Sequence, residues 1–223
     1  MRVVGAPDKG LWRIGRGDDP LQHPSPSPIN LGAVKAGNRF DSVTGNFGVL
    51  YFGTHLEACF GETLNRYRKD PALAFLNDEW ETLGFMAQGS VPADWRTRRT
   101  IVQVTLDADA KFFDIESPAN HLLIEQELGS LLTILGVDRV DVAVLRGADR
   151  RVTRFVSEWI WGQTDMSGDP LFDGIRYLSR SNTDWECWAV YDDVVIAESE
   201  RLPILKDNVD LLNVASLYDL RVF

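Results

Sequence analysis

The sequence predicts an α+β fold, with a single compact domain built on a mixed, mainly antiparallel β core. Short segments with strand character, such as IVQVTL (101–106), lie between segments with helical periodicity, and the regular strand–helix alternation of a parallel sheet is missing. Two strand candidates, 175–179 and 185–192, are separated by a short polar link that is typical of a hairpin. The length of 223 residues and the 44% hydrophobic content suit one domain with one core.

The first half of the chain is predicted to contain two strands, a loop and a helix. The loop holds four prolines, which remove backbone donors and exclude a central strand or a helix interior. The helix follows Thr54, and Glu57 lies three residues further on, as in a capping box. The predicted ranges are strand 11–16, loop 17–37, strand 49–53 and helix 55–69.

The second half is predicted to alternate irregularly between strands and helices. Ser117 and Pro118 open a helix, because proline is tolerated at the first helical position, and Gly136 ends it. Residues 72–100, rich in Trp and turn residues, receive no assignment. The remaining predictions are strands 101–106, 112–115, 140–145, 175–179, 185–192 and 194–199, a helix from about Asp149, and a short helix after about 207.

The charge balance excludes one class of function. The net charge is −10, so direct binding of nucleic acid by the whole chain is not expected. A small anionic ligand needs only a few arginines in one place and stays compatible with this balance. The first residues lack the apolar run of a signal peptide, and no stretch approaches the length of a membrane span, so we expect a cytoplasmic protein without a membrane partner.

Common catalytic and metal-binding motifs are absent from the sequence. It contains no P-loop, no GxGxxG that opens a helix, no GxSxG and no HExxH. Cys59 and Cys187 form no zinc pattern, and we predict that both are buried thiols. The three histidines show no ligand spacing, so we expect no metal and no histidine chemistry.

Four short stretches resemble the RES family in order and character. They are L-W-R-I with Arg13, G-N-R-F-D-S with Arg39, V-L-Y-F-G-T-H-L-E-A-C-F-G-E with Tyr51 and Glu62, and G-I-R-Y-L-S-R followed by W-A-V-Y-D with Ser179. The resemblance spans roughly residues 11–192. It predicts a single RES-like domain over 1–223, of which 193–223 is a C-terminal extension.

The resemblance implies a fold, an activity and a partner. RES proteins resemble ADP-ribosyltransferases, and characterised members are toxins of bacterial two-gene modules that consume NAD. Some of them split the nicotinamide–ribose bond and others transfer ADP-ribose to a target. The partner antitoxin is a helix-turn-helix protein that covers the cleft. The chain is therefore expected to use NAD as its substrate.

The residue types agree with these roles. Arginine binds phosphate oxygens with a planar, permanently charged fork, which favours Arg13 and Arg39 as a pair on the pyrophosphate. Glu62 would stabilise positive charge on the ribose as nicotinamide leaves. The predicted catalytic residues are Glu62, Arg39 and Ser179, and the predicted NAD-binding residues are Arg13, Arg39, Tyr51 and Ser179. Tyr51 would stack on nicotinamide or contact the ribose, and Ser179 would contact the ligand or orient Glu62.

Simpler interpretations exist for each of these residues. Glu62 precedes Arg66 by four residues, the spacing of a helical ion pair. Arg39 could pair with Asp41, Arg13 could be a strand-edge arginine, and Tyr51 could belong to the core. Ser179 could only shape the hairpin, and Trp185 and Trp188 are predicted to pack inside.

Three function classes follow from the sequence. The first is the NAD-consuming enzyme, with water, phosphate or a protein side chain as the acceptor. The second is a non-catalytic RES-like module that binds a nucleotide or a partner. The third is a structural subunit that docks on a basic partner, and homo-oligomerisation stays open in all three.

Overall fold

The computed structural model describes residues 1–30, 32, 34–35, 37–76 and 85–223, with side chains of 74–76 excepted. The strands are β1 (Val3–Gly5), β2 (Leu11–Arg16), β3 (Val49–Gly53), β4 (Ser90–Val91), β5 (Arg99–Leu106), β6 (Lys111–Asp114), β7 (Gly174–Leu178), β8 (Glu186–Tyr191), β9 (Ile196–Pro203) and β10 (Arg221–Val222). The α-helices are α1 (Leu56–Leu64), α2 (Ala93–Thr97), α3 (Pro118–Ile134), α4 (Val142–Arg146), α5 (Arg151–Trp161) and α6 (Val209–Leu217). Short 3₁₀ segments span Asn65–Tyr67 and Pro71–Leu76.

Eight strands form the main sheet in the order β1-β6-β7-β8-β3-β2-β5-β9. Strands β6 and β7 pair in parallel, and the other neighbours described in this sheet are antiparallel. Strands β10 and β4 form a small parallel sheet of their own. The α+β class with a mainly antiparallel core is therefore confirmed.

The sheet separates two apolar clusters, because successive side chains of a strand point to opposite faces. In β3, Val49 and Tyr51 contact the larger cluster, to which the helices contribute, whereas Leu50 and Phe52 belong to the smaller one. Most strands are consequently covered on both faces, and the ends of the strands and their loops are the places left for a site.

Most of the predicted elements are confirmed. The predicted hairpin is formed by β7 and β8, which pair from Gly174–Val190 to Leu178–Glu186. Helix α3 has Ser117 as its N-cap and Pro118 in its first turn, and Gly136 follows its end with a φ of 72°. Within the predicted loop 17–37, the described residues form no helix or strand, and residues 31, 33 and 36 lie outside the described part.

Two predictions of local structure are wrong. Residues 140–145 were predicted as a strand, but Val142–Arg146 form a helix, because the Asp141 side chain accepts a hydrogen bond from the backbone N–H of Val144 and caps it. Helix α1 begins at Leu56 after the N-cap residue His55 and ends at Leu64. Thr54 caps nothing, because its hydroxyl donates to the Glu186 carboxylate at 2.8 Å.

The C-terminal residues join the fold rather than trailing from it. Strand β9 pairs along β5 from Thr100–Pro203 to Leu106–Ile196. Helix α6 buries Leu211, Val214 and Ala215 and lies against α1. The region predicted as an extension thus supplies an edge strand and a support for α1.

Candidate active site

Glu62 and Ser179, which are 117 residues apart in sequence, meet through a hydrogen bond. The Ser179 hydroxyl donates to Oε1 of Glu62 at 2.5 Å. Glu62 lies in the last turns of α1 and is exposed to solvent, whereas Ser179 directly follows β7 and is completely buried. The pair therefore places a fixed carboxylate where a dissolved ligand can reach it.

The hydroxyl of Ser179 makes two hydrogen bonds within the protein. It donates its one proton to Glu62 and accepts the backbone N–H of Ser181 at 3.0 Å. A serine nucleophile needs a base and access to the substrate, and a fully buried hydroxyl bound to a carboxylate has no such access. Of the roles considered for Ser179, this geometry favours the orientation of Glu62.

A glycine–tryptophan contact sets the distance between α1 and the hairpin. A Cβ placed on Gly61 would overlap the indole of Trp185, so only glycine allows this approach. Trp185 is buried as predicted, and its backbone carbonyl accepts the N–H of Ser179 at 2.9 Å. Gly61 and Trp185 thus hold Glu62 opposite Ser179. The only local signal of this contact in the sequence is the Gly61-Glu62 dipeptide within the helix, which does not indicate Trp185 as the partner.

The simpler interpretation of Glu62, a surface ion pair with Arg66, is wrong. Among the described residues Glu62 has no ion pair within 4.0 Å, and Arg66 donates instead to the hydroxyl of Tyr67 at 2.8 Å. The carboxylate of Glu62 is consequently not neutralised by a neighbouring cation on its own helix.

The side chain of Arg39 reaches from its loop to the C-terminal end of α4. Its guanidinium donates to the backbone carbonyls of Leu145, Arg146 and Gly147, which a helix end leaves without partners. Burial lowers the pKa of Arg39, and the charges of Tyr177 and Glu62 act in the opposite direction. The charge of Glu62 therefore acts on the guanidinium of Arg39, a group that is always protonated in proteins.

Tyr51 fixes the loop that carries Arg39. Its hydroxyl donates to Oδ1 of Asp41 at 2.8 Å and accepts the backbone N–H of Phe40 at 2.9 Å. Burial, with the charge of Asp41 as the next cause, raises the pKa of Tyr51 well above its ordinary value. The other carboxylate oxygen of Asp41 accepts the N–H of Asn38 at 2.6 Å, so the alternative ion pair between Arg39 and Asp41 is wrong.

Arg13 lies apart from this group. Its neighbours in β2, Trp12 and Ile14, contact the larger cluster, so the Arg13 side chain leaves the strand on the other side, 5.8 Å from the ring centre of Phe52. It donates to the carbonyls of Pro20 at 2.9 Å and Tyr51 at 3.0 Å. The structure brings Arg39, Tyr51, Glu62 and Ser179 to one region and does not bring Arg13 and Arg39 together as a fork.

An ion pair that the sequence analysis missed ties the parts of the site to each other. Glu116 binds Arg146 at 2.5 Å, and its other oxygen accepts the backbone N–H of Leu178 at 2.9 Å. Arg146 ends the helix that holds Arg39, and Leu178 precedes Ser179. Glu116 is separated in sequence from Arg146 by 30 positions and from Leu178 by 62 positions, and no sequence pattern indicates contacts over such separations.

The cysteines are buried and unpaired, as predicted. The Cys59 thiol donates to the carbonyl of Trp12 at 3.0 Å, and burial raises its pKa to about 12. Across the described ranges, no group of three or more His, Cys, Asp or Glu side chains is arranged to hold a metal ion. No helix in that same part of the chain has the length and apolar character needed to cross a bilayer.

The fold and the glutamate–serine pair define a compact α+β domain with a solvent-accessible carboxylate fixed by a buried hydroxyl. The family model described as the RES domain matches residues 10–210, so the chain belongs to the RES family, as the resemblance of the four stretches predicted.

One solved structure supports the same fold. A chain in the crystal structure of the M. tuberculosis MbcT–MbcA toxin–antitoxin complex is similar over 96% of this chain and 89% of that chain, with a TM-score of 0.52 and 10% sequence identity. At 10% sequence identity this similarity supports the fold of the chain and no conclusion about its function. No curated protein matches the sequence significantly.

Proposed function

We propose that the chain is an NAD-consuming enzyme that cleaves the bond between nicotinamide and ribose, and that it is the toxin of a bacterial toxin–antitoxin module. The observation that carries the proposal is the hydrogen bond between Ser179 and the exposed carboxylate of Glu62. Membership of the RES family supports the substrate class.

The chemistry follows from the charge that develops during bond cleavage. The C1′–N bond breaks with its electron pair leaving on nicotinamide, and the ribose becomes cationic. A carboxylate that is already oriented stabilises this cation without reorganising, which is the condition for strong electrostatic catalysis. Ser179 supplies the orientation of Glu62, and Gly61 and Trp185 supply the position of α1. Water, phosphate or a protein side chain then attacks C1′.

The pyrophosphate would be held by arginine charge. A guanidinium has five N–H donors, and the described residues offer no acceptor to Nε of Arg39 or to Nη2 of Arg13. Arg39, near Glu62, is the better placed of the two for the phosphate next to the reacting ribose. Contact with Arg13 would need the ligand to reach the other side of β2.

The partner in this proposal is a helix-turn-helix antitoxin that covers the site. The similar solved structure is described as a toxin–antitoxin complex. The net charge of −10 suits a basic partner protein and disfavours direct contact of this chain with nucleic acid.

The test is release of nicotinamide from NAD by the purified protein. Glu62→Gln keeps the shape of the side chain and removes its charge, so we expect a fall in kcat of at least ~100-fold, corresponding to about 3 kcal/mol of transition-state stabilisation. Glu57→Gln is the matched control, because Glu57 lies in the first turn of the same helix and accepts from Asn213. Arg39→Lys should mainly raise KM, because lysine keeps the charge and loses the fork.

The outcomes separate the proposals for mechanism and acceptor. Equal nicotinamide release by wild type and Glu62→Gln would reject the mechanism. Faster release in phosphate buffer than in a buffer without phosphate, with ribose phosphorylated in the product, would identify phosphate as the acceptor. Toxicity of wild type and survival of cells that express Glu62→Gln would support the toxin role.

A non-catalytic module that binds a nucleotide or a partner is the second candidate. The observation in its favour is that the protein itself occupies the hydroxyl of Tyr51 and both terminal nitrogens of Arg39. Binding of NAD without any release of nicotinamide would support it over the enzyme.

A further inference from the structure

A cavity of about 770 Å³ opens at the end of β2. It is bounded by the end of β2, the 3₁₀ turn after α1, and the segment from Pro92 to Thr100. None of the proposed NAD-site residues lines it. Its volume lies within the range of small-molecule sites.

The charge of this cavity is opposite to that of the protein. Four arginines and two aspartates line it, a formal excess of two positive charges in a chain whose net charge is −10. One of the aspartates, Asp94, is 3.6 Å from Arg98. Of the four arginines that line this cavity, Arg98 is thus the one with an ion pair within 4.0 Å among the described residues.

The other three arginines repel each other. Arg16 and Arg99 are directly opposite in the antiparallel pairing of β2 and β5, so their side chains leave the sheet on the same face. Like charges at such positions destabilise a sheet. Arg66 joins them from the turn after α1, and among the described residues none of the three has a carboxylate within 4.0 Å.

Two of these three arginines, Arg66 and Arg99, are held by aromatic residues and not by acids. The guanidinium of Arg99 lies 4.9 Å from the ring centre of Trp95 and donates to the Trp95 carbonyl at 2.9 Å. Arg66 lies 4.8 Å from the ring centre of Tyr67. Burial and the charges of Arg16 and Arg66 lower the pKa of Arg99 to about 10, which still leaves it a cation at neutral pH. Aromatic faces orient these cations without neutralising them.

We propose that this cavity is an anion site, in which Arg16, Arg66 and Arg99 bind the phosphate groups of a small molecule. Guanidinium forks match phosphate oxygens in geometry and charge. A bound phosphate would also remove the repulsion that the empty cluster carries. Long polyanions fit less well, because the rest of the surface is acidic. The site is independent of the NAD chemistry proposed at Glu62.

The experiment is calorimetric titration of the full chain with inorganic phosphate, ADP and adenosine at low salt. We expect phosphate or ADP to bind and adenosine not to bind. The variant with both Arg16→Gln and Arg66→Gln should lose affinity by roughly tenfold for each arginine, since each charge-assisted contact is of that size. Because both side chains are exposed, the variant is expected to fold, and circular dichroism checks this.

Three further variants make the result specific. Arg139→Gln removes an exposed arginine elsewhere and should leave binding unchanged. Arg16→Lys with Arg66→Lys keeps the charge and removes the forks, so an intermediate affinity is expected. Glu62→Gln should bind phosphate as wild type does, which separates this site from the catalytic proposal.

Binding of phosphate alone identifies a free phosphate as the ligand, and binding of ADP alone identifies a nucleotide. Either result supports the site if it is lost in the double Gln variant. Affinities for phosphate and ADP that are both unchanged in this variant, or a folded wild type that binds neither compound, overturn the proposal.

Discussion

Replacement of Ser179 by Ala tests whether a buried hydroxyl controls the carboxylate of Glu62. The change removes a hydrogen bond of 2.5 Å to a charged acceptor and leaves the backbone N–H of Ser181 without its partner. Hydrogen bonds to charged groups contribute about 1.5–3 kcal/mol. If the full amount acts on the transition state, kcat falls by roughly 10- to 100-fold.

The assay is steady-state release of nicotinamide over a range of NAD concentrations. Ser179 is completely buried, so it does not touch the dissolved substrate and KM should change little. A structural defect would instead reduce the amount of active protein and the melting temperature together. The expected signature is therefore a lower kcat per folded molecule with an unchanged KM.

Thr153→Val is the matched control for this change. Thr153 is also completely buried, and its hydroxyl donates to the carbonyl of Arg150 at 3.1 Å within its own helix. Both variants should lose stability, by about 1–2 kcal/mol for Thr153→Val, which deletes one buried hydrogen bond, and by somewhat more for Ser179→Ala, which deletes two. A normal kcat in Ser179→Ala, or an equal fall in kcat in Ser179→Ala and Thr153→Val, would refute the positioning role.

Two further predictions concern packing and pH. Gly61→Ala should lower kcat and should lower the free energy of unfolding by ~1–3 kcal/mol, because the added methyl group overlaps Trp185. Gly129→Ala is the control on helix α3. Its methyl group meets no atom within 4 Å, so it should raise the free energy of unfolding by ~0.5–1 kcal/mol. Thermal melts and nicotinamide release measure both effects, and equal melting temperatures of the two variants would contradict the packing argument. The pKa of Cys59 is raised to about 12 by burial, so above pH 9 the unfolded chain loses a proton that the folded chain keeps, and the free energy of unfolding falls by about 1.4 kcal/mol per pH unit. Urea unfolding at pH 8 and pH 10 should show this extra loss in wild type but not in Cys59→Ala, and parallel losses in both would reject it.

The sequence predicted the fold well where local pattern decides the structure. Alternation in 101–106 and a proline after Ser117 specify a strand and a helix start through local sterics, and both are found. The prediction of a strand at 140–145 was wrong because a run of four to six apolar residues is compatible with a strand and with a helix. The side chain of Asp141, which caps the helix, decided between them.

The site was predictable only in part, because its contacts join distant segments. Spacing alone favoured an ion pair of Glu62 with Arg66, and only the resemblance to the RES family directed attention to Ser179. The partners of Arg39 could not be anticipated, since they are the main-chain carbonyls of Leu145 to Gly147. Carbonyl groups are present at every residue, so no side-chain pattern records them.

The partners of the arginines differ in charge, and this difference supports the ligand-binding role proposed for Arg39. Arg146 and Arg176 bind carboxylates at 2.5 Å and 2.6 Å, so their charges are neutralised within the protein. Arg39 is held by carbonyls, which are dipoles without net charge, and it therefore keeps its positive field. A carboxylate in place of those carbonyls would fix the side chain equally well and would cancel that field. Holding a cation by uncharged acceptors, close to an oriented carboxylate, is what a site needs when it binds an anionic ligand and stabilises a cationic transition state in one place.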